Sequence, residues 1–235
     1  MQELTVNQIH CGDNRYLFQK LKDNSIGFIV TSPPYWDAIK YDKWGLNIGR
    51  KQPLEKYLLE LKSVLTECYR VLKPNRYVFV VIRDITKNRH TYLLHAKISD
   101  IAEKVGFILE DIKLILLLDH SMYDFGLLLR KGATNNSGIL VDKYDVPVWD
   151  FRKKYNKKLH PAEFVEEIPR VAISKWCKDD EIVLDPFFGR GTTAVAARTL
   201  NRNWIGFELS PKYVKMAKER LTKQKPLERF CFSKV

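Results

Sequence analysis

Cysteine is scarce in this chain of 235 residues, and its four copies, Cys11, Cys68, Cys177 and Cys231, stand far apart. With no C-x-x-C pair, neither a zinc knuckle nor a disulfide framework is expected, no metal site is predicted, and a reducing, cytoplasmic setting follows. Long apolar runs are missing too. The longest candidate, Leu114 to Leu118, reads as a core strand, and the N-terminus has no signal-peptide pattern, so no membrane partner is expected. Acidic residues are in deficit: 28 Asp and Glu face 40 Lys and Arg, a net charge of +12. In a chain rich in aromatic residues, that excess points to a polyanionic partner. Hydrophobic content of 45% is ordinary, and the length suits one domain over 1–235 with a sizeable core.

Two stretches stand out. The apolar run Ile26 to Val30 leads into Thr31-Ser32-Pro33-Pro34-Tyr35-Trp36. Proline donates no ladder hydrogen bond and pushes the preceding residue to extended geometry, so the chain must leave a sheet here. A hydroxyl, rigidly held carbonyls and two aromatic faces at a strand end suit a flat group carrying an amine. Taken alone, the stretch is equally a proline-terminated strand with a buried Tyr and Trp. The second stretch, Glu181 to Thr193, reads as a short buried strand ending at Asp185, a turn bearing Gly189 and Gly191, and a helix opening at Thr192 or Thr193. A following strand, Trp204 to Phe207, ends in Glu208. This is a β-α-β unit with a carboxylate placed for ribose hydroxyls. Its spacing matches neither G-x-G-x-x-G nor a P-loop, and Asp185 would repel a pyrophosphate.

Together these stretches resemble the S-adenosylmethionine-dependent amino-methyltransferases that act on N4 of cytosine or N6 of adenine. The base-holding segment precedes the cofactor loop by about 150 positions, which is similar to the permuted beta order. His10-Cys11-Gly12-Asp13 resembles the turn that contacts the adenine, and His160-Pro161-Ala162-Glu163-Phe164 the helix start that closes over the methionine end. The resemblance implies a Rossmann-like three-layer α/β sandwich around a mostly parallel seven-stranded sheet, with both motifs at neighbouring strand ends. It implies Asp13, Thr31, His160, Pro161, Asp185, Phe187, Gly189, Gly191, Thr192, Thr193 and Glu208 at the cofactor. Asp185→Ala and Glu208→Ala should each weaken cofactor binding and leave the fold intact. It further implies Ser32, Pro33, Pro34 and Tyr35 at the reacting base, with direct methyl transfer. No cysteine follows proline, so the nucleophile of carbon-5 methylation is missing. Ser32 at the head of the segment, with His160-Pro161-Ala162, resembles the cytosine-N4 members.

The rest of the chain supplies scaffold and charge. Residues 37–52, beside the base segment, read as a lid or as an inert loop. Pro53 opens an amphipathic helix through Leu72, a second helix runs from Tyr92 to Val105 closed by Gly106, and Phe107–Leu118 and Phe125–Leu129 form an antiparallel pair. Ile139 to Trp149 reads as a small hairpin. Trp36 and the tract Arg152, Lys153, Lys154, Lys157 and Lys158 are expected to meet nucleic acid. The helix Tyr213 to Leu221 reads as having Lys212, Lys215, Lys218 and Arg220 on a solvated side. As a reader of duplex DNA the chain has only the short insert 131–159 for specificity. That leaves a homodimer, or structured RNA such as ribosomal RNA, as ways to complete recognition, with DNA ranked first. A noncatalytic nucleic acid binder is the rival from another class.

Overall fold

A computed structural model describes residues 4–36, 48–49, 51–117, 123–132, 146–152 and 165–224. In chain order they form β1 (Gln8–Cys11), α1 (Asn14–Leu17), β2 (Ile26–Thr31), α2 (Leu54–Val71), β3 (Leu72–Ile82), β4 (Ile85–Lys87), β5 (His90–Tyr92), α3 (Leu94–Val105), β6 (Phe107–Leu116), β7 (Tyr123–Lys131), β8 (Val148–Asp150), α4 (Glu167–Trp176), β9 (Ile182–Asp185), α5 (Thr192–Thr199), β10 (Asn203–Glu208) and α6 (Pro211–Lys223). The main sheet has the order β1-β10-β9-β2-β3-β7-β6-β8, and β4 and β5 pair separately. Strands β1, β10, β9, β2 and β3 are parallel, whereas β7 runs antiparallel to both β3 and β6.

Alternation along the central strands fills two cores, one on each face of the sheet. Ile29, Val78, Val80 and Ile82 pack with Leu61, Leu65, Cys68 and Ile98 under α2 and α3. Phe28, Val30, Phe79 and Val81 pack with Ile168, Ala172, Ala194 and Ala196 under α4 and α5. Every residue of β2 is buried, as a strand covered on both faces requires. At the amino end of the sheet, buried Glu181 accepts from Arg76 Nε at 2.8 Å, tying the turn before β9 to β3.

The main sheet has eight strands among the described residues, one more than expected. The extra strand is β8, which pairs parallel to β6 through Leu114 and Val148. It holds residues 148 and 149 of the expected 139–149 hairpin, of which 139–145 lie outside the described residues; three residues on an outer edge are too few for an alternation signal. Asn75, at φ +58°, lies within β3, where the register with β2 shifts. The helix expected from Tyr92 begins at Leu94, because Tyr92 belongs to the β4–β5 hairpin. Gly106 closes α3 at φ +116°, as expected. The order reverses between β9, which leads through α5 to β10 on one side, and β2, which leads through α2 to β3 on the other. That crevice is where an open parallel sheet binds ligands.

Candidate active site

Five adjacent parallel strands place their carboxyl ends in a row at this crevice. Asp13 follows β1, Glu208 ends β10, Asp185 ends β9, Ser32 follows β2 and Arg83 follows β3. Asp185, only 1% exposed, joins the two halves. Its Oδ1 accepts from Thr31 Oγ1 at 2.8 Å and from the Phe187 N–H at 3.0 Å, and its Oδ2 from Thr193 Oγ1 at 2.6 Å. Burial pushes this carboxyl up to about 6 against those three hydrogen bonds. With its oxygens committed to protein donors, Asp185 holds the loop in shape.

Glu208 is placed differently. One oxygen accepts the Gly189 N–H and the other the Ser210 N–H, each at 2.8 Å, and burial pushes the carboxyl up to about 7. The Leu209 N–H adds a third bond, which leaves the carboxylate one of its roughly four acceptor sites for a hydroxyl. Gly189 has φ +53°, and a Cβ there would meet open space, so the backbone presents a bare edge to the crevice. Gly191, at φ +82°, lies at the start of α5, packed on Phe188 and Ala217. Thr192 Oγ1 accepts from Arg220 Nη1 at 3.0 Å, so Arg220 reaches inward from α6 instead of lying on its solvated side. Asp13 accepts from the Arg15 N–H at 2.9 Å and is gripped by the Arg15 guanidinium. Asn14 Nδ2 donates to the Pro186 carbonyl at 3.1 Å, tying this turn to the loop.

On the base side, Ser32 Oγ donates to Tyr35 Oη at 3.3 Å, and Tyr35 is hydrogen-bonded to Asp124 at the start of β7. Arg83 Nε donates to Asp124 at 2.6 Å, and its guanidinium lies 5.8 Å from the centre of the Tyr35 ring. Burial pushes the Asp124 carboxyl above the usual range despite Arg83 beside it. Pro33 is buried, and the Pro34 carbonyl accepts from Tyr57 Oη at 3.0 Å. Trp36, expected at the nucleic acid, is 6% exposed: its Nε1 donates to the Gln52 carbonyl at 2.9 Å and its ring meets Tyr92 at 4.9 Å. It packs the root of the site.

The expected site residues from Asp13 to Tyr35 and from Asp185 to Glu208 thus gather along one edge of the sheet. His160, Pro161, Lys153, Lys154, Lys157 and Lys158 lie outside the described residues, as does most of 37–52. Arg152 is bound to Asp150, its Nε donating at 2.8 Å. Arg83 and Asp124 carry no role in the sequence reading. Their signal is a charged residue at either end of an apolar strand, but only the β3–β7 register brings them together.

The profile of the DNA methylase family covering N6 and N4 methyltransferases matches residues 26–123 and 131–219. This chain belongs to that family. The methylase is 27% identical over 260 residues to the type II beta methyltransferase M.BslI of Bacillus sp. (strain NEB-606), a match over 89% of this chain. It spans 27% of the length of that relative. It superposes on TTHA0409 of Thermus thermophilus, a candidate DNA modification methylase solved with S-adenosyl-L-methionine, with a TM-score of 0.74 and 26% identity, covering 94% of this chain and 95% of the other. The cytosine-N4-specific PvuII DNA methyltransferase shares the fold, with a TM-score of 0.76 at 19% identity over 93% of this chain and 87% of its own. S-adenosylmethionine is the cofactor of this family. The donor set fits it: an open glycine edge at Gly189 and, at Glu208, a carboxylate with acceptor capacity left for a ribose hydroxyl.

Proposed function

We propose that this methylase transfers a methyl group from S-adenosylmethionine to the exocyclic N4 amine of a cytosine in DNA. One observation carries transfer to an exocyclic amine, the direction of the hydrogen bonds at the base segment; the choice of cytosine rests on Ser32 at the head of that segment. Tyr35 has a single hydroxyl proton, and a carboxylate at Asp124 accepts it. Tyr35 Oη therefore receives the Ser32 proton at 3.3 Å. Ser32 is left with lone pairs for an incoming N–H, beside the Ser32 and Pro33 carbonyls.

The base amine is a poor nucleophile because its lone pair is delocalised into the ring. When bound, the cofactor supplies an electrophilic methyl group; its ribose would be held by Glu208, its adenine side by the turn at Asp13, and its remainder against Phe187, Gly189 and Gly191. Ser32 Oγ and a neighbouring carbonyl accept the two amine hydrogens, draw the nitrogen toward tetrahedral geometry and stabilise the charge that develops on it. Tyr35, itself buried, holds Ser32 in place beside the base after the base leaves its helix. The methylated nitrogen then releases one proton to Ser32, as Ser32 passes its own to Tyr35 and Tyr35 its own to Asp124. No covalent enzyme intermediate is required. Burial pushes Cys177 up to about 12 and raises Cys68 further, so neither supplies a thiolate.

Incubation with labelled S-adenosylmethionine and duplex DNA, ribosomal RNA or transfer RNA, followed by nucleoside separation, tests the reading. N4-methylcytosine in DNA is the expected product. N6-methyladenine as the only product would overturn the base, and labelling of RNA alone would overturn the polymer.

A further inference from the structure

The hairpin of β4 and β5 has no part in the chemistry above, yet it stands next to it. Two residues, Arg83 and Asp84, separate it from the end of β3, beside the strand end that carries Ser32. Its root is fixed: Ile85 is buried, Tyr92 meets the Trp36 ring at 4.9 Å and Lys87 Nζ lies 5.0 Å from the Trp36 ring centre. Trp36 is covalently next to Tyr35, so the hairpin is held in register with the base segment. Thr86 and Thr91 hydroxyls pair across it at 3.0 Å.

The tip is the reverse of the root. Asn88, Arg89, His90 and Thr91 are exposed, and the stretch Ile85 to Tyr92 contains no acidic residue. The nearest carboxylate in the chain, Asp84, accepts from the His95 backbone N–H at 3.2 Å and is 2.8 Å from its Nδ1. Asn88 and Arg89 have φ +52° and +61°, the left-handed pair of a type I′ turn. Glycine is the favoured second residue of that turn, so the chain keeps a strained cation where an unstrained neutral residue would serve. Three strand residues and one turn residue a side at ~3.3 Å each give a reach of roughly 10–13 Å, comparable to the ~12 Å width of a DNA major groove.

We infer that the β4–β5 hairpin is a DNA-contacting finger that sets Arg89, assisted by His90, on the phosphates flanking the target base. The inference rests on the reading of duplex DNA as substrate. It provides a contact beside the reacting base that the short insert cannot supply by itself, and it fixes the distance between backbone grip and base pocket.

The full chain with Arg89→Gly tests it, because glycine relaxes the turn and preserves the hairpin; Arg89→Lys keeps the charge. Duplex affinity is measured across a salt series, together with turnover and the rise in melting temperature given by S-adenosylmethionine. Arg89→Gly should weaken duplex binding about fivefold near 150 mM salt and reduce the slope of log affinity against log salt by about 0.9. Its loss should appear in KM with kcat and the cofactor shift unchanged, and Arg89→Lys should recover most of it. Arg89→Gly indistinguishable from a parent that binds and methylates duplex overturns the finger alone. A parent that binds no duplex overturns the finger and the DNA reading together. A methylated base other than cytosine N4 overturns the base assignment and leaves the salt comparison to decide the finger.

Discussion

Asp124 and Asp185 are both buried carboxylates at the crevice, and their partners give them different work. In the proposed mechanism Asp124 receives the proton passed through Ser32 and Tyr35, which makes it a positioning residue and proton sink. Asp124→Asn keeps the shape and loses the acceptor; turnover should fall by on the order of 10²-fold with cofactor affinity unchanged. The parent should lose turnover as pH falls through the raised Asp124 pKa, and the variant should lack that acid limb. Full turnover in the variant would make the chain merely structural. Asp185 instead satisfies two hydroxyls and an N–H. The expectation that Asp185→Ala spares the fold is therefore revised: it strands three buried donors and should cost roughly 2–5 kcal/mol by denaturant titration. Glu208→Gln should spare the fold at neutral pH and weaken the cofactor. The free Glu208 carboxyl is raised from 4.5 to about 7, so the stability it contributes is present below about 4.5 and lost as pH rises through about 7. Glu208→Gln should flatten that decline. Ribose hydroxyls favour the carboxylate form, so cofactor binding near pH 7 should release protons, measurable by calorimetry in two buffers.

Among elements, the cofactor loop depends on a void in its neighbour. A Cβ on Gly206 of β10 would lie 2.2 Å from the Phe188 ring, which stacks on Trp204 at 5.3 Å. Gly206→Ala should push Phe188, and with it Gly189, out of place, lowering stability by about 1–3 kcal/mol and cofactor affinity with it. Parent-like values for both would show that the ring can shift freely. Long elements with strong periodicity are legible in the sequence: α2, α3 with its Gly106 stop, and the β9-α5-β10 unit around Asp185 and Glu208. Short ones are not. The β4–β5 hairpin has three residues a side and an Asn-Arg turn that does not advertise itself as Asn-Gly would. Burial of Trp36 is one of the two readings the sequence offers, but its partners Tyr92 and Gln52 arrive from elsewhere in the chain and are not legible.

Across the whole molecule, the parts of the site carried by contiguous motifs can be read, and the parts made by strand pairing cannot. Ser32 to Tyr35 and Asp185 to Thr193 announce themselves; the union of Arg83 with Asp124 needs the antiparallel pairing of β3 with β7, which no local pattern specifies. The eighth strand and the basic finger likewise come from placement.

The bond between Thr31 and Asp185 spans 154 positions of chain. At a ribosomal speed of about 5–20 residues per second, Thr31 is made on the order of 10–30 s before its partner. β2 must wait in a growing chain with one fully apolar flank uncovered, and β1 waits longer still for β10. The carboxyl end of β2 is therefore made well before that of β9, and the bond from Thr31 to Asp185 can close only once both halves of the sheet exist.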